Sequence, residues 1–362
     1  MRKNIMQKLA VLGLLAIVIY SCGKDFLETQ PYGSVNNELL STSEKGANSL
    51  LIAAYSNLDG FSGWDNGGPW GGASSNWTFG SIAGGDAYKG SEAGDQPDIT
   101  PLERGNVDAN NPYLEQKWRN YYDGISRTNQ AIVAFTKLEA IDAAQKSTRI
   151  AEAKFLRAWM HFDLWKIFRN VPYIDETLED VRIGNTANIL PKIQGDLQAA
   201  INGLPVTQPQ AGRVTKGAAQ SLLGMTYMWE KKYAEAKAQF DAVVNSGRYA
   251  LNAKFSDNFN AAVRNTREGI LEVQMAVNTG GGDAGNVGDV LNFPYNGGPA
   301  GCCGFHQPSQ DLVNAFQVDA NGLPLLDTYS NTDVKNDDGL KDTDPFTTET
   351  RPLDPRIDRT VG

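Results

Sequence analysis

The chain has 362 residues, of which 41% are hydrophobic and 21% charged, and it carries a formal net charge of −9. That length suits one large or two ordinary domains with a packed core. The acidic balance excludes nucleic acid as a natural partner, because phosphate binding calls for a basic stripe.

Arg2, Lys3 and Lys8 precede an apolar run from Leu9 to Tyr20. The run is too short to span a bilayer permanently and reads as the h-region of a signal peptide covering residues 1–21. The sequence Ile19-Tyr20-Ser21-Cys22 resembles a bacterial lipobox. Cys22 would then be acylated, its acyl chains anchoring the protein to a membrane, with residues 22–40 as an extended tether.

Ser41 and Glu44 fit a capping box, and Ala47, Leu50, Leu51, Ala54, Tyr55 and Leu58 follow at helical spacing, predicting a helix that ends near Gly60. Residues 60–94 are glycine-rich and hold Trp64, Trp70 and Trp77, three of the seven tryptophans. Disordered segments rarely contain tryptophan, so this flap reads as ordered. The other tryptophans, Trp118, Trp159, Trp165 and Trp229, sit in helical patterns and read as core. Helical spacing resumes at Glu115, with Trp118, Tyr121, Tyr122, Ile125, Asn129, Ile132 and Val133 on one face. The stretch from Arg149 to Tyr173 is apolar on several sides and has Pro172 near its end, which predicts a buried helix. Ile189 to Leu204, before Pro205, predicts another.

Leu223-Gly224, Tyr227, Ala236, Phe240 and Val243 match the tetratricopeptide spacing. Gly224 and Ala236 would let two antiparallel helices approach, with Tyr227 and Phe240 between them. Such a hairpin needs neighbouring hairpins to bury its face. Residues 269–277 alternate and predict a strand. Asp311 to Phe316 predicts a short helix, and Asp327 to Asp358 an acidic, solvated segment. The fold class is therefore mainly α: tetratricopeptide-like hairpins, long irregular loops and a small β element.

Several segments stand together in order: Trp118-Arg119-Asn120-Tyr121-Tyr122-Asp123-Gly124-Ile125 with Asn129; Glu152 to Ala158 running to Val171-Pro172; Asp196-Leu197 to Leu204-Pro205; Gly212-Arg213-Val214-Thr215-Lys216; Glu268 and Glu272; and Asp354-Pro355-Arg356. With the lipobox, they resemble the SusD/RagB family of Bacteroidetes outer-membrane lipoproteins. The resemblance implies a single α-helical domain over residues 41–362. It also implies a cell-surface glycan-binding protein, not an enzyme, that passes its ligand to a SusC-like TonB-dependent transporter. Asp354-Pro355-Arg356 resembles a segment that family members carry well inside the chain, so the domain reads as incomplete at its C-terminus. A peptide ligand and a scaffold role in an outer-membrane complex are the alternatives, since a fold does not choose its ligand.

Catalytic and metal signatures are missing: there is no HExxH, no histidine cluster, no GxSxG and no CxxC. No cofactor is called for. His161 reads as a hydrogen-bonded core residue, and Cys302 and Cys303 as small loop residues. The acidic tract from Asp333 to Asp344 fails the EF-hand spacing. Sugar binding needs flat aromatic platforms for C–H faces and polar groups for ring edges. The flap supplies both, so Trp64, Trp70, Asn76, Trp77, Asp86 and Tyr88 are the candidate ligand residues. Tyr295, in a second glycine-rich loop, joins them.

Overall fold

A computed structural model describes residues 40–60, 69–184, 187–260, 262–275, 291–292 and 303–361. The proposed signal peptide, Cys22, nearly all of the tether, Trp64, Tyr295 and Cys302 lie outside the described residues.

Among the described residues, seven helices form the body. Helix α1 (Glu44–Tyr55) continues as a 3-10 turn to Asp59, and Gly60, at φ 97°, ends it. A short α2 (Thr100–Glu103) precedes two long helices, α3 (Pro112–Lys137) and α4 (Ala143–Phe168). Then come α5 (Leu190–Gly203), α6 (Lys216–Trp229) and α7 (Tyr233–Asn245). Apart from α2, consecutive helices pack as neighbours, α1 on α3, α3 on α4, α4 on α5, α5 on α6 and α6 on α7. Each pair buries the other's apolar stripe, as a helical-repeat array requires. Later elements are short: β2 (Phe305–Pro308), α8 (Gln310–Asn314) and α9 (Ile357–Thr360).

Close helix contacts rest on glycine. An added Cβ at Gly224 would lie 2.6 Å from the Phe240 ring, and one at Gly124 would lie 2.4 Å from Met160 Sδ. The predicted hairpin of α6 and α7 therefore forms as its spacing required, with Ala236 fully buried.

Three sequence expectations shift. The cap of α1 is Ser43, whose Oγ accepts from the Gly46 amide at 3.1 Å, not Ser41. The backbone at Leu40 crosses the first turn so closely that a Cβ at Gly46 would lie 2.1 Å from the Leu40 carbonyl oxygen, which fixes where the helix can begin. Helix α4 starts earlier, where the Asp142 carboxylate accepts from the Gln145 amide at 3.0 Å, and stops at Phe168. Residues 269–275 form no strand. They have no strand partner among the described residues and lie instead against the 210–213 turn, where Gly212 faces Gln274. The β element sits elsewhere: β1 (Ala87–Gly90) pairs antiparallel with β2.

Two cores result. The large one lies among α1 and α3–α6. The second lies under the glycine-rich flap and gathers Trp70, Trp77, Ile82, Ile99, Tyr113 and Phe305.

Among the described residues, three buried charge clusters lace the helices. Glu152, fully buried, accepts from Tyr55 Oη at 2.6 Å, Arg149 at 2.5 Å and Arg213 at 2.9 Å, tying α1 and α4 to the 205–215 loop. Arg157 forks onto Asp196 with two bonds of 2.7 Å. It also reaches Glu176 and donates to Asn129 Oδ1 at 2.8 Å. Lys117, fully buried, pairs with Asp163, which also binds Lys166 at 2.6 Å. Burial works to raise the Asp163 carboxyl, but the two lysines outweigh it and hold that group well below the usual carboxylate range. His161 is the core residue its sequence position implied. Its Nε2 accepts from the Ile174 amide at 3.2 Å, so Nδ1 carries the proton toward the Arg157 carbonyl at 3.1 Å. Burial, and next the neighbouring Arg157 charge, push His161 down to about 3, so it is neutral.

Candidate glycan-binding surface

Most of the flap is anchored from below. The Gly71 amide donates to Gln116 Oε1 at 3.0 Å, seating the 69–72 turn on the start of α3. Asn76, at φ 58°, accepts from the buried Lys117 ammonium at 2.8 Å. A π-helical turn then spans Thr78–Ile82. The Trp77 ring is 1% exposed and meets Phe305 edge-on at 6.1 Å and His306 at 5.9 Å. Trp70 is also buried.

This corrects the roles expected for three candidates. Trp70 and Trp77 present no ring face to a ligand, and the Asn76 side-chain oxygen is engaged by Lys117. Large aromatics next to glycine gain more from filling a small core than from facing water. Cys303, in the adjoining loop, is disulfide-bonded.

Strand β1 decides what remains accessible. Side chains alternate across a strand. Ala87 and Lys89 point inward, each 5% exposed, so Tyr88 between them points outward and is 51% exposed. The Lys89 ammonium is held by the carbonyls of Glu92 at 2.9 Å and Asp95 at 2.7 Å, and its amide donates to Glu103 at 2.6 Å. Gly90, at φ 71°, lies so close to the Gly304 carbonyl that a Cβ would sit 2.3 Å from the oxygen. The strand is thus clamped on its inner face. Asp86, exposed just before it, has no side-chain partner among the described residues, while its carbonyl accepts from the Ser309 amide at 3.0 Å. Register places Gln307 directly opposite Tyr88. The result is a rigid edge carrying one aromatic ring, one carboxylate and one amide. Gln307 escaped the sequence reading because only strand pairing brings it beside Tyr88.

A second feature lies on the far side of α3. A cleft of about 1200 Å³ runs between α3 and residues 172–181, floored by Trp118, Tyr122, Val133 and Ile174. Trp118 and Tyr122 lie 4.7 Å apart, and Trp118 meets Phe168 edge-on at 5.3 Å. The Tyr122 hydroxyl donates to the Pro172 carbonyl at 2.7 Å. Asp175 and Glu176 stand at the rim. Burial works to raise the Asp175 carboxyl, but hydrogen bonds from Thr177 outweigh it and hold that group low. The sequence reading merged this stripe with the core-facing one. The face of α3 that enters the core is Lys117, Asn120, Gly124, Thr128, Ala131 and Phe135. Four of these six are polar or glycine, so sequence spacing found only their buried neighbours Ile125 and Ile132.

Residues 72–228 match a family described as starch-binding associating with outer membrane, and residues 267–362 match the SusD family. The chain belongs to the SusD/RagB family. A SusD-like protein from Bacteroides ovatus is 24% identical over 293 residues, covering 76% of this chain and 50% of the relative. Surface glycan-binding protein A from Bacteroides fluxus is 28% identical with a TM-score of 0.56, covering 64% of this chain and 50% of that one. A laminarin-binding SusD-like protein shares the fold at 24% identity and a TM-score of 0.58, covering 68% of this chain and 55% of its own. The chain spans about half the length of these relatives. Proteins of this family are associated with the outer membrane at the cell surface. Among the described residues no helix is long and apolar enough to cross a membrane.

Proposed function

We propose that this chain captures a glycan at the cell surface and hands it to a SusC-like TonB-dependent transporter, without turning it over. The observation that carries the reading is the match of most of the chain to a glycan-binding family, joined to the clamped edge at Tyr88. A pyranose ring stacks its apolar face on the Tyr88 ring, and Asp86 and Gln307 take its hydroxyls. Trp64 and Tyr295 remain candidate ligand residues on the sequence alone. Cys22, acylated, holds the protein to the outer-membrane lipid.

Retention in native gels cast with polysaccharide tests the site. Tyr88→Ala is expected to weaken retention with no change in Tm; unchanged retention removes Tyr88 from the site. Purified protein retained by no polysaccharide ends the glycan reading. Cys22→Ser should release the protein from the membrane fraction, and a TonB-dependent transporter should co-purify with the wild type.

A peptide ligand is the second reading, and the cleft on α3 favours it. Its apolar floor and acidic rim suit an apolar side chain followed by a basic one. Val133→Glu would block such a peptide and leave glycan retention intact.

A further inference from the structure

Helix α4 stops at Phe168 because Arg169 adopts φ 63° and ψ −94°. Glycine enters that region freely, whereas a side chain is strained in it. The Arg169 guanidinium lies 4.8 Å from the centre of the Trp165 ring and 5.0 Å from that of Trp229. The two indoles meet edge to face at 5.8 Å and 87°. Trp165 is fixed from behind: its Nε1 donates to Asn188 Oδ1 at 3.0 Å, and its ring stacks on Phe162 at 6.1 Å. Trp229 is 46% exposed. Among the described residues no carboxylate pairs with Arg169. The nearby acids are taken, Asp163 by Lys117 and Lys166, and Glu230 by Lys232.

A residue whose task was only to end the helix would be glycine. One whose task was only to complement the negative end of α4 could be a lysine in an unstrained conformation. What Arg169 adds is a planar cation, with no carboxylate partner among the described residues, held against an exposed indole. The chain as a whole is acidic, with a net charge of −9, so an anionic ligand meets repulsion over much of its surface and finds a counter-charge here.

We propose that Trp229 and Arg169 form a second saccharide subsite, selective for an anionic sugar unit bearing a carboxylate or sulfate. The indole face takes the C–H face of the ring, and the guanidinium fork takes the anion in a bidentate pair. The proposal borrows its ligand class from the glycan-capture reading, but it stands on separate residues.

Native gels containing polygalacturonate, a sulfated galactan or a neutral β-glucan distinguish the two. Arg169→Gly removes the charge and the strain together. It should keep or raise the Tm while weakening retention on an anionic gel by about tenfold, the scale of a charge-assisted hydrogen bond, and leave the neutral gel unchanged. Trp229→Ala should give the same loss. The two anionic gels separate carboxylate from sulfate as the group recognised. Wild-type protein retained by neither anionic glycan overturns the subsite, as does Arg169→Gly or Trp229→Ala binding like wild type. Loss of neutral-glycan retention in Tyr88→Ala with Arg169-dependent anionic binding intact shows the two sites to be independent. Anionic binding with no neutral binding in the wild type leaves this subsite standing and removes the Tyr88 site.

Discussion

The flap and the helical body are held together by different physics. Under the flap, Trp77, Phe305, Ile82 and Ile99 pack around one inward-pointing charge, the Lys89 ammonium 5.1 Å from the centre of the Phe305 ring, and the main stabilisation is burial of apolar area. Between the helices, Glu152, Arg157, Lys117 and Asp163 are buried in bonded clusters. Such clusters fix geometry more than they add stability, and they become costly when one member is removed. Lys117 joins the two regions, since it bonds both Asp163 on α4 and Asn76 in the flap. The helical body should therefore be sensitive to single charges and to acid, and the flap to lost volume.

The sharpest way to break this contrast is Asp163→Asn. It leaves the Lys117 ammonium buried beside neutral acceptors alone and should cost about 3–5 kcal/mol in chemical denaturation. A loss below about 1 kcal/mol would mean the cluster is wetter than its burial implies. Trp77→Ala should cost a similar amount, roughly 3–5 kcal/mol, through the cavity it opens. Its signature differs, because limited proteolysis should cut first in the flap while helical circular dichroism persists.

Acid comes next. His161 has a folded value of about 3, below its ordinary 6.5. The unfolded chain thus binds a proton that the folded one refuses between those limits. The stability is fully present above pH 6.5 and declines as pH falls toward 3. At pH 5 the loss from this group is about 2 kcal/mol. Asp163 adds a further loss at lower pH: its folded value is depressed, so its contribution is present above the ordinary carboxylate range and fades below it. An NMR titration should find the His161 ring still neutral at pH 5; a titrating signal near pH 6.5 would contradict its burial. Smallest is Tyr88→Ala, an outward substitution expected to shift stability by less than about 0.5 kcal/mol while altering glycan retention.

The sequence by itself determined the family, the mainly helical class and the hairpin register of α6 and α7. The reason is that helical spacing and small-residue contacts such as Gly224 are local or nearly so. It did not determine which aromatics face water. Trp77, in a glycine-rich loop, is sealed, whereas Trp159 and Trp229, in helices, are 37% and 46% exposed. Exposure depends on what packs above a residue, and that is set by distant chain: β2 covers Trp77, and Arg169 lies beside Trp229. Tertiary structure alone also decided that residues 87–90 rather than 269–275 form the strand, because a strand exists only where another edge accepts its hydrogen bonds. The same holds for the pairing of Gln307 with Tyr88, two residues far apart in sequence that only strand register makes neighbours.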